Sequence, residues 1–528
     1  MKSLKSPLII VLTAMILTAG CSKSFENYSQ NANQPLPGKV PPGIVLKTIL
    51  NDLIVFPGGD ADKQCQFICS NYTYYGTNEY WTGSATLNYG DLNNVLAMES
   101  EARRAAGSDN NPYHALGLFL RAFFFVNMSE KVGDLPMTDA LQGLNNPAPK
   151  YDTQESIFKQ SLIWLDSANT LLAGQIANGF LEFSGDFYYK ERLSNPVNAN
   201  KGRDALIQWQ KVVNSYKLRV LIELSKKTSD GALNVAQQFA NIYNNPSQYP
   251  IFTSNDDDLE YVYNSSFNYY PDNITNLGNN QLRLNLAQTL ETTLGQLHDL
   301  RCMVLGEPAR GLGFSDTSYN SYVGAPSGED LSTMAAQIQE GKLSLYNRNH
   351  FYSGLTGEPT YILSYPEVCF DIAEAINRGW ISGSAATWYR TGVTAQFAFY
   401  SIVDGNNTVT LQGPAGNEIT YTVNFSFDDY FNQDAVKLKG DANDLAKILT
   451  QKYLAYARNS GYQAYYQWRR TGVPTFSAGA GTGNGGVIPR RWQYPTNERI
   501  VNLTNLNAAL QSQYGGNDDI NQDVWLVK

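Results

Sequence analysis

Between residues 203 and 227 the chain sets Trp209, Val212, Val213, Tyr216, Val220 and Leu224 on one stripe, with Lys211 and Lys217 off it. Steps of three and four residues align side chains along one face of an α-helix, and a face this apolar has to be covered by another element. The same spacing recurs. Residues 113–127 carry Leu116, Phe119, Leu120, Phe123 and Phe124; residues 152–172 carry Ile157, Phe158, Leu162, Trp164 and Leu165, with Asp152 three before Glu155 as a cap-like start. Helices are also expected over 232–243, 286–300, 365–378, 384–400, 441–457 and 496–511. The chain is therefore mainly α, with helices packed on helices.

One start is unusually well signalled. Ser364-Tyr-Pro-Glu367 has capping-box spacing, and Pro366 falls in the first turn, where its missing N–H costs nothing. Gly379 ends that helix and Gly383 precedes the next. Such pairs resemble units of helical repeats, but no clean repeat period is present. Residues 246–360 break the pattern: they are rich in Asn, Gly, Ser and Tyr, and long loops within a compact chain are usually functional. Residues 405–425 alternate enough to predict a small hairpin around Pro414-Ala-Gly416.

The beginning of the chain reads as an export signal. Lys2 and Lys5 precede a short apolar run from Leu8 to Leu17, then Thr18, Ala19, Gly20 and Cys21. A signal ending at a cysteine reads as that of a bacterial lipoprotein, with Cys21 lipidated and residues 1–20 removed. Thr18 stands where Leu is usual, with Leu17 one place early. The apolar run is well short of the ~20 residues of a membrane span. Several acyl chains, at about 0.8 kcal/mol per buried CH₂, would hold the protein to a membrane. Residues 21–42 are a Pro-, Asn- and Ser-rich tether, followed by one domain over 43–528: a helical core (43–245 and 361–528) and the loop-rich segment 246–360.

Composition narrows the function. The net charge is −9 with no basic block, which excludes nucleic acid as a partner because phosphate neutralisation needs clustered Lys and Arg. Three scattered histidines (His114, His298, His350) offer little to metal or acid–base chemistry. Cys65 and Cys69, four apart, are expected on one face of a helix as core thiols, and no Zn-type cysteine spacing occurs. Asp256, Asp257 and Asp258 are of the oxygen-ligand type Ca²⁺ prefers but lack EF-hand spacing, so they read as a solvated acidic turn rather than a structural Ca²⁺ site; no cofactor is expected. Gly481 to Gly486 matches GxGxxG by letter, but no strand leads in and no helix follows, so it reads as a loop. Arg490 and Arg491 beside Trp492 read as holding the C-terminal segment to the helices.

What the chain has in quantity is aromatic side chains and uncharged amides, including 34 Tyr and 8 Trp. Aromatic faces bury large area at low entropy cost, and with amides they suit hydroxyl-rich ligands. Three clusters are ligand candidates: Tyr74, Tyr75, Asn78, Tyr80 and Trp81; Phe267, Asn268, Tyr269 and Tyr270; and Tyr319 with Tyr322. Each tyrosine has the competing role of packing a loop onto the core.

Several segments, in order and spacing, resemble the SusD/RagB family of Bacteroidetes surface lipoproteins, SusD-like branch. They are VPPGIVLKTIL (40–50), YHALGLFLRAFFFVNMSEKVGDLPMTDAL (113–141), QWQKVVNSYKLRVLIELSKK (208–227), SYVGAPSGE (321–329), EVCFDIAEAINRGWI (367–381), YQWRRTGVP (466–474) and IPRRWQYPTNE (488–498). The resemblance implies a scaffold of TPR-like helix pairs, a loop-rich ligand-binding face and a few short strands. It also implies a lipid-anchored outer-membrane protein, facing outwards, that is not catalytic. Such a protein captures oligosaccharide or polysaccharide and passes it to a SusC-like TonB-dependent transporter; some relatives handle peptides or another nutrient. A glycoside hydrolase, which needs only two carboxylates at the right separation, is the remote alternative.

Overall fold

The structure is a computed structural model that describes residues 39–81, 83–191, 201–278 and 280–528. Cys21, the export signal and most of the tether lie outside the described residues. The longer helices are α1 (Pro42–Asn51), α2 (Tyr89–Ala106), α3 (Pro112–Val132), α4 (Gln154–Asn178), α5 (Lys201–Glu223), α6 (Val235–Asn244), α7 (Gln288–Gln296), α8 (Leu331–Gln339), α9 (Tyr365–Asn377), α10 (Ala385–Phe399), α11 (Asp444–Ala455), α12 (Gln463–Thr471) and α13 (Leu503–Tyr514). Helices consecutive in sequence pack in space: α2 on α3, α3 on α4, α4 on α5, and α9 on α10, with α9 also joining α5 to α11.

The striped helix α5 is buried on nearly every side. Its off-stripe lysines are both paired: Lys217 donates to Asp166 (2.6 Å) and Lys211 to Asp257 (2.6 Å). Helix α9 explains how charge survives so deep. Ser364 caps it by accepting from Glu367 N (3.4 Å), as the spacing predicts, but the Glu367 side chain does not close the box. Glu367, Asp371 and Glu374, one turn apart, each meet a cation from a different helix: Arg219 of α5 (2.6 Å), Lys452 of α11 and Arg470 of α12 (2.5 Å). Buried charges are tolerated only when paired in this way.

Three short antiparallel pairs complete the fold. β1 (Ile68–Ser70) pairs with β3 (Leu284–Leu286), β2 (Leu259–Tyr261) with β4 (Thr360–Leu363), and β5 (Gly405–Gln412) with β6 (Glu418–Phe425), the hairpin predicted from its alternation. Between 246 and 360 the helices are short, four to nine residues.

Some expectations change. Helix α4 is capped by Thr153, which accepts from Ser156 N; the Asp152 carboxylate instead takes the Met137 and Thr138 N–H groups (2.8 Å each). Cys65 and Cys69 do not share a helix. The helix Asp60–Gln64 ends at Cys65, Gln66 turns the chain at φ 56°, and Cys69 lies in β1; both thiols are free and buried. The stretch 286–300 begins as strand and turns helical only at Gln288, and 496–511 divides into Glu498–Val501 and α13. The acidic turn is solvated only at Asp256; its other two carboxylates are buried. Asp257 is held by Lys211 and Thr253, and Asp258 accepts from Tyr365 N at the start of α9. Arg490 and Arg491 do anchor the C-terminus, through Asp523 (2.7 Å) and Asp518 (2.6 Å).

Candidate functional site

Because β2 pairs with β4, and β4 runs directly into α9, the segment leaving β2 is fixed to the core at its base. Along it, Tyr261 and Tyr263 turn inwards and Val262 outwards, the period of an extended chain. The Tyr261 hydroxyl donates to Asn51 Oδ1 of α1 (2.9 Å). Its ring meets Phe187 edge-on at 5.9 Å, Tyr263 at 5.4 Å and Phe56 at 6.1 Å. The chain then reverses in a closed turn. Asn264 N donates to Asn268 O (2.7 Å), and Asn264 Oδ1 accepts from Ser266 N and Phe267 N (3.0 Å each). This side-chain-capped turn is a standard use of Asn. It holds Phe267 at the tip with 88% of its surface exposed.

Between this turn, α1 and Phe187 lies a cleft of about 720 Å³. Tyr261, Phe187 and Phe267 give it apolar surface; Thr48, Asn51 and Asn268 give it hydroxyl and amide groups. Lys47 and Glu191 form a loose, exposed pair at its rim (4.0 Å). Burial raises the Tyr261 phenol, so it stays neutral. A flat apolar wall with amides beside it can hold a ring bearing both C–H and hydroxyl groups. Among the described residues, no cluster of three or more His, Cys, Asp or Glu is placed to hold a metal ion.

The segment that follows the turn is tied to the core by one buried arginine. Arg458 packs over the adjoining rings of Tyr346 (4.3 Å) and Phe351 (4.0 Å), donates to Asp272 and approaches Asp62 (3.8 Å). One cation faces two carboxylates. Burial pushes Asp62 up to about 7 against the pull of Arg458.

The candidates separate by burial. Phe267 and Asn268 line the cleft, and Tyr269 beside them is partly exposed. Tyr270 is fully buried; its ring packs against the backbone of Gly357, where an added Cβ would come within 2.2 Å of Tyr270 Cγ. Tyr74 is 82% exposed on the turn Thr73–Tyr75, whereas the side chain of Tyr75 lies outside the described part of the structure. Asn78 is buried and bonds both ways to the backbone of Ser70 (2.7 and 2.9 Å), and Tyr80 is buried with its hydroxyl on Gln64 O (2.8 Å). Trp81 stacks on Trp492 at 3.6 Å and lines a second cleft of about 380 Å³. Tyr319 stacks on His298 at 5.0 Å; Tyr322 is buried and donates to Asp316 O (2.7 Å). Asn78, Tyr80, Tyr270 and Tyr322 are thus scaffold rather than ligand contacts, because their polar atoms or ring faces are enclosed by the protein. Sequence reasoning missed Thr48, Asn51 and Phe187, which reach the cleft from remote segments with no local signal.

The family model SusD-like_2, described as starch-binding and associating with the outer membrane, matches residues 62–495. The chain belongs to this family. This SusD-like chain is similar to a SusD homologue from Bacteroides fragilis NCTC 9343 (26% identity, 93% of this chain and 100% of that one, TM-score 0.77). A second homologue from the same strain gives 27% identity, 93% and 99% coverage and a TM-score of 0.73. A chitin-binding SusD homologue from Flavobacterium johnsoniae shares the fold (20% identity, 92% and 98% coverage, TM-score 0.65). No curated protein matches the chain. The SusD-like family consists of outer-membrane-associated glycan-binding proteins, not enzymes.

Proposed function

We propose that this protein is a surface glycan receptor that holds oligosaccharide or polysaccharide in the cleft between α1 and the Asn264–Asn268 turn. The observation that carries this is Phe267, a fully presented aromatic face on a turn held rigid by its own hydrogen bonds. An aromatic face presented beside an apolar cleft is the kind of surface on which the C–H face of a sugar ring packs. The chitin-binding relative supports a sugar ligand. In this reading Cys21 carries the lipid anchor, the domain faces the exterior, and the cargo passes to a SusC-like TonB-dependent transporter. Tyr269, exposed and next to Asn268 in sequence, is an additional contact in this reading, and Tyr74 is a separate exposed candidate.

The charged groups lining the cleft, the Lys47–Glu191 pair with Asp52 and Glu260, are what suits a peptide, whose ends and side chains carry charge. Affinity electrophoresis of the protein through gels containing neutral polysaccharides, with casein peptides assayed in parallel by calorimetry, separates the two. Retardation by a glycan that disappears in Phe267→Ala supports the sugar reading. Peptide binding without retardation replaces it.

A further inference from the structure

The β5–β6 hairpin has one covered edge and one open edge. In an antiparallel pair, residues alternate between those bonded across the ladder and those whose N–H and C=O point away from it. On β5 the outward groups are taken: Thr410 O accepts from Asn347 Nδ2 (3.2 Å), Gln412 O accepts from Arg310 (2.6 Å), and Gln412 N donates to Glu307 (3.0 Å). Across the ladder, Thr410 faces Thr420 and Gln412 faces Glu418. Thr420 and Glu418 therefore point their own N–H and C=O away from β5, and Thr422 and Asn424 follow at steps of two. β6 pairs with β5 alone, and among the described residues no other group bonds to that outward row of main-chain atoms. Glu418, Thr420, Thr422 and Asn424 are all exposed.

An open strand edge is a template for another strand, and natural proteins guard such edges with Lys, Pro or a bulge. β6 has none of the three. Its register with β5 is unbroken from Gly405–Phe425 to Gln412–Glu418, and the strand holds no Lys, Arg or Pro. It also reads nearly the same in either direction about Tyr421. Thr420 and Thr422 flank that residue, then Ile419 and Val423, then Glu418 and Asn424. A second β6 laid antiparallel across a two-fold axis at Tyr421 sets Thr420 opposite Thr422, so that outward N–H and C=O groups meet as bonded pairs. It sets Ile419 opposite Val423, β-branched on β-branched, and Glu418 opposite Asn424 rather than another acid.

We propose that β6 is the docking edge for a second copy of this chain, joining the two hairpins into one continuous sheet across a two-fold axis at Tyr421. The outward groups of β5 are already bonded, so the sheet closes at the dimer and does not grow into a fibre. One strand edge buries little area, which makes the association weak.

The test is cysteine cross-linking and sedimentation equilibrium on the purified full-length protein in detergent. Tyr421→Cys places two thiols at the axis, where facing residues stand about 4.5 Å apart, within reach of a disulfide. In Glu418→Cys the two thiols are separated by about 20 Å. Cys65, Cys69, Cys302 and Cys369 are buried, and the unsubstituted chain serves as the blank. Mild oxidation should give a covalent dimer with Tyr421→Cys and not with Glu418→Cys. The mass of the wild type should rise with concentration towards that of a dimer and no further. T420K/T422K, which sets Lys opposite Lys on an exposed row, should weaken association by roughly tenfold and leave the thermal midpoint unchanged. A monomer at every concentration with no Tyr421→Cys dimer overturns the proposal and leaves the edge to a strand of another protein. Equal cross-linking of both cysteine variants, or a dimer that T420K/T422K does not weaken, also overturns it by placing the contact elsewhere.

Discussion

The phenyl ring of Phe267 contributes little to the fold, since it is 88% exposed. Phe267→Ala should therefore leave the thermal midpoint unchanged while lowering glycan affinity about fivefold, roughly 1 kcal/mol for a lost aromatic contact, as calorimetry would show. Asn78 is the converse. Its amide occupies both the N–H and the C=O of Ser70, so Asn78→Ala orphans two buried groups and should cost about 1–3 kcal/mol in urea unfolding. Nothing in the sequence distinguished these residues, because both lie in aromatic, amide-rich stretches. Whether such a residue faces ligand or core depends on the strand pair that anchors its segment, β1–β3 for Asn78 and β2–β4 for Phe267. Those partners lie roughly 100 to 200 residues away. Arg458 was equally hidden. Arg458→Met should destabilise by about 3–5 kcal/mol, since it leaves Asp272 buried without its cation.

At the scale of elements, periodicity and caps located the helices well wherever the apolar pattern was sustained. The start of α9 shows both the reach and the limit of that reading. Ser364 caps it as its spacing demands, so Ser364→Ala should cost about 1 kcal/mol in denaturant unfolding. The reciprocal half of the box is missing because Glu367 is drawn instead to Arg219 of α5. A tertiary ion pair has overridden a local motif. Short elements were missed for a related reason: β1 and β3 are three residues each, too brief for a period to register, and Gln66 at positive φ broke the helix expected to hold both cysteines.

For the molecule as a whole, the buried acids give stability a defined pH dependence. Burial pushes Glu307 up to about 7 and Asp134 up to about 6, above their ordinary 4.5 and 3.8. The folded protein thus holds protons that the unfolded chain has released. Their contribution is complete below the ordinary values and is lost as the pH rises through 6 and 7. Glu374 behaves oppositely. Burial alone would raise it, but Arg470 prevails and leaves it at about 2, so its contribution is present above 4.5 and fades as the pH falls from there to about 2. Scanning calorimetry should find the highest thermal midpoint at about pH 4–4.5, with declines on both sides. Glu307→Gln should flatten the decline on the alkaline side. A midpoint that instead rises steadily to pH 8 would show that these acids ionise in the fold.

The turn that presents Phe267 is closed by main-chain atoms and the side chain of Asn264. The positions between Asn264 and Asn268 are therefore answerable to solvent and ligand but hardly to the core. Apart from the need for N–H groups at 266 and 267, they can be exchanged as a cassette. A library randomised there should yield chains of equal stability that differ in what they hold. New diets could then be met by rewriting three codons, with the rest of the receptor inherited intact.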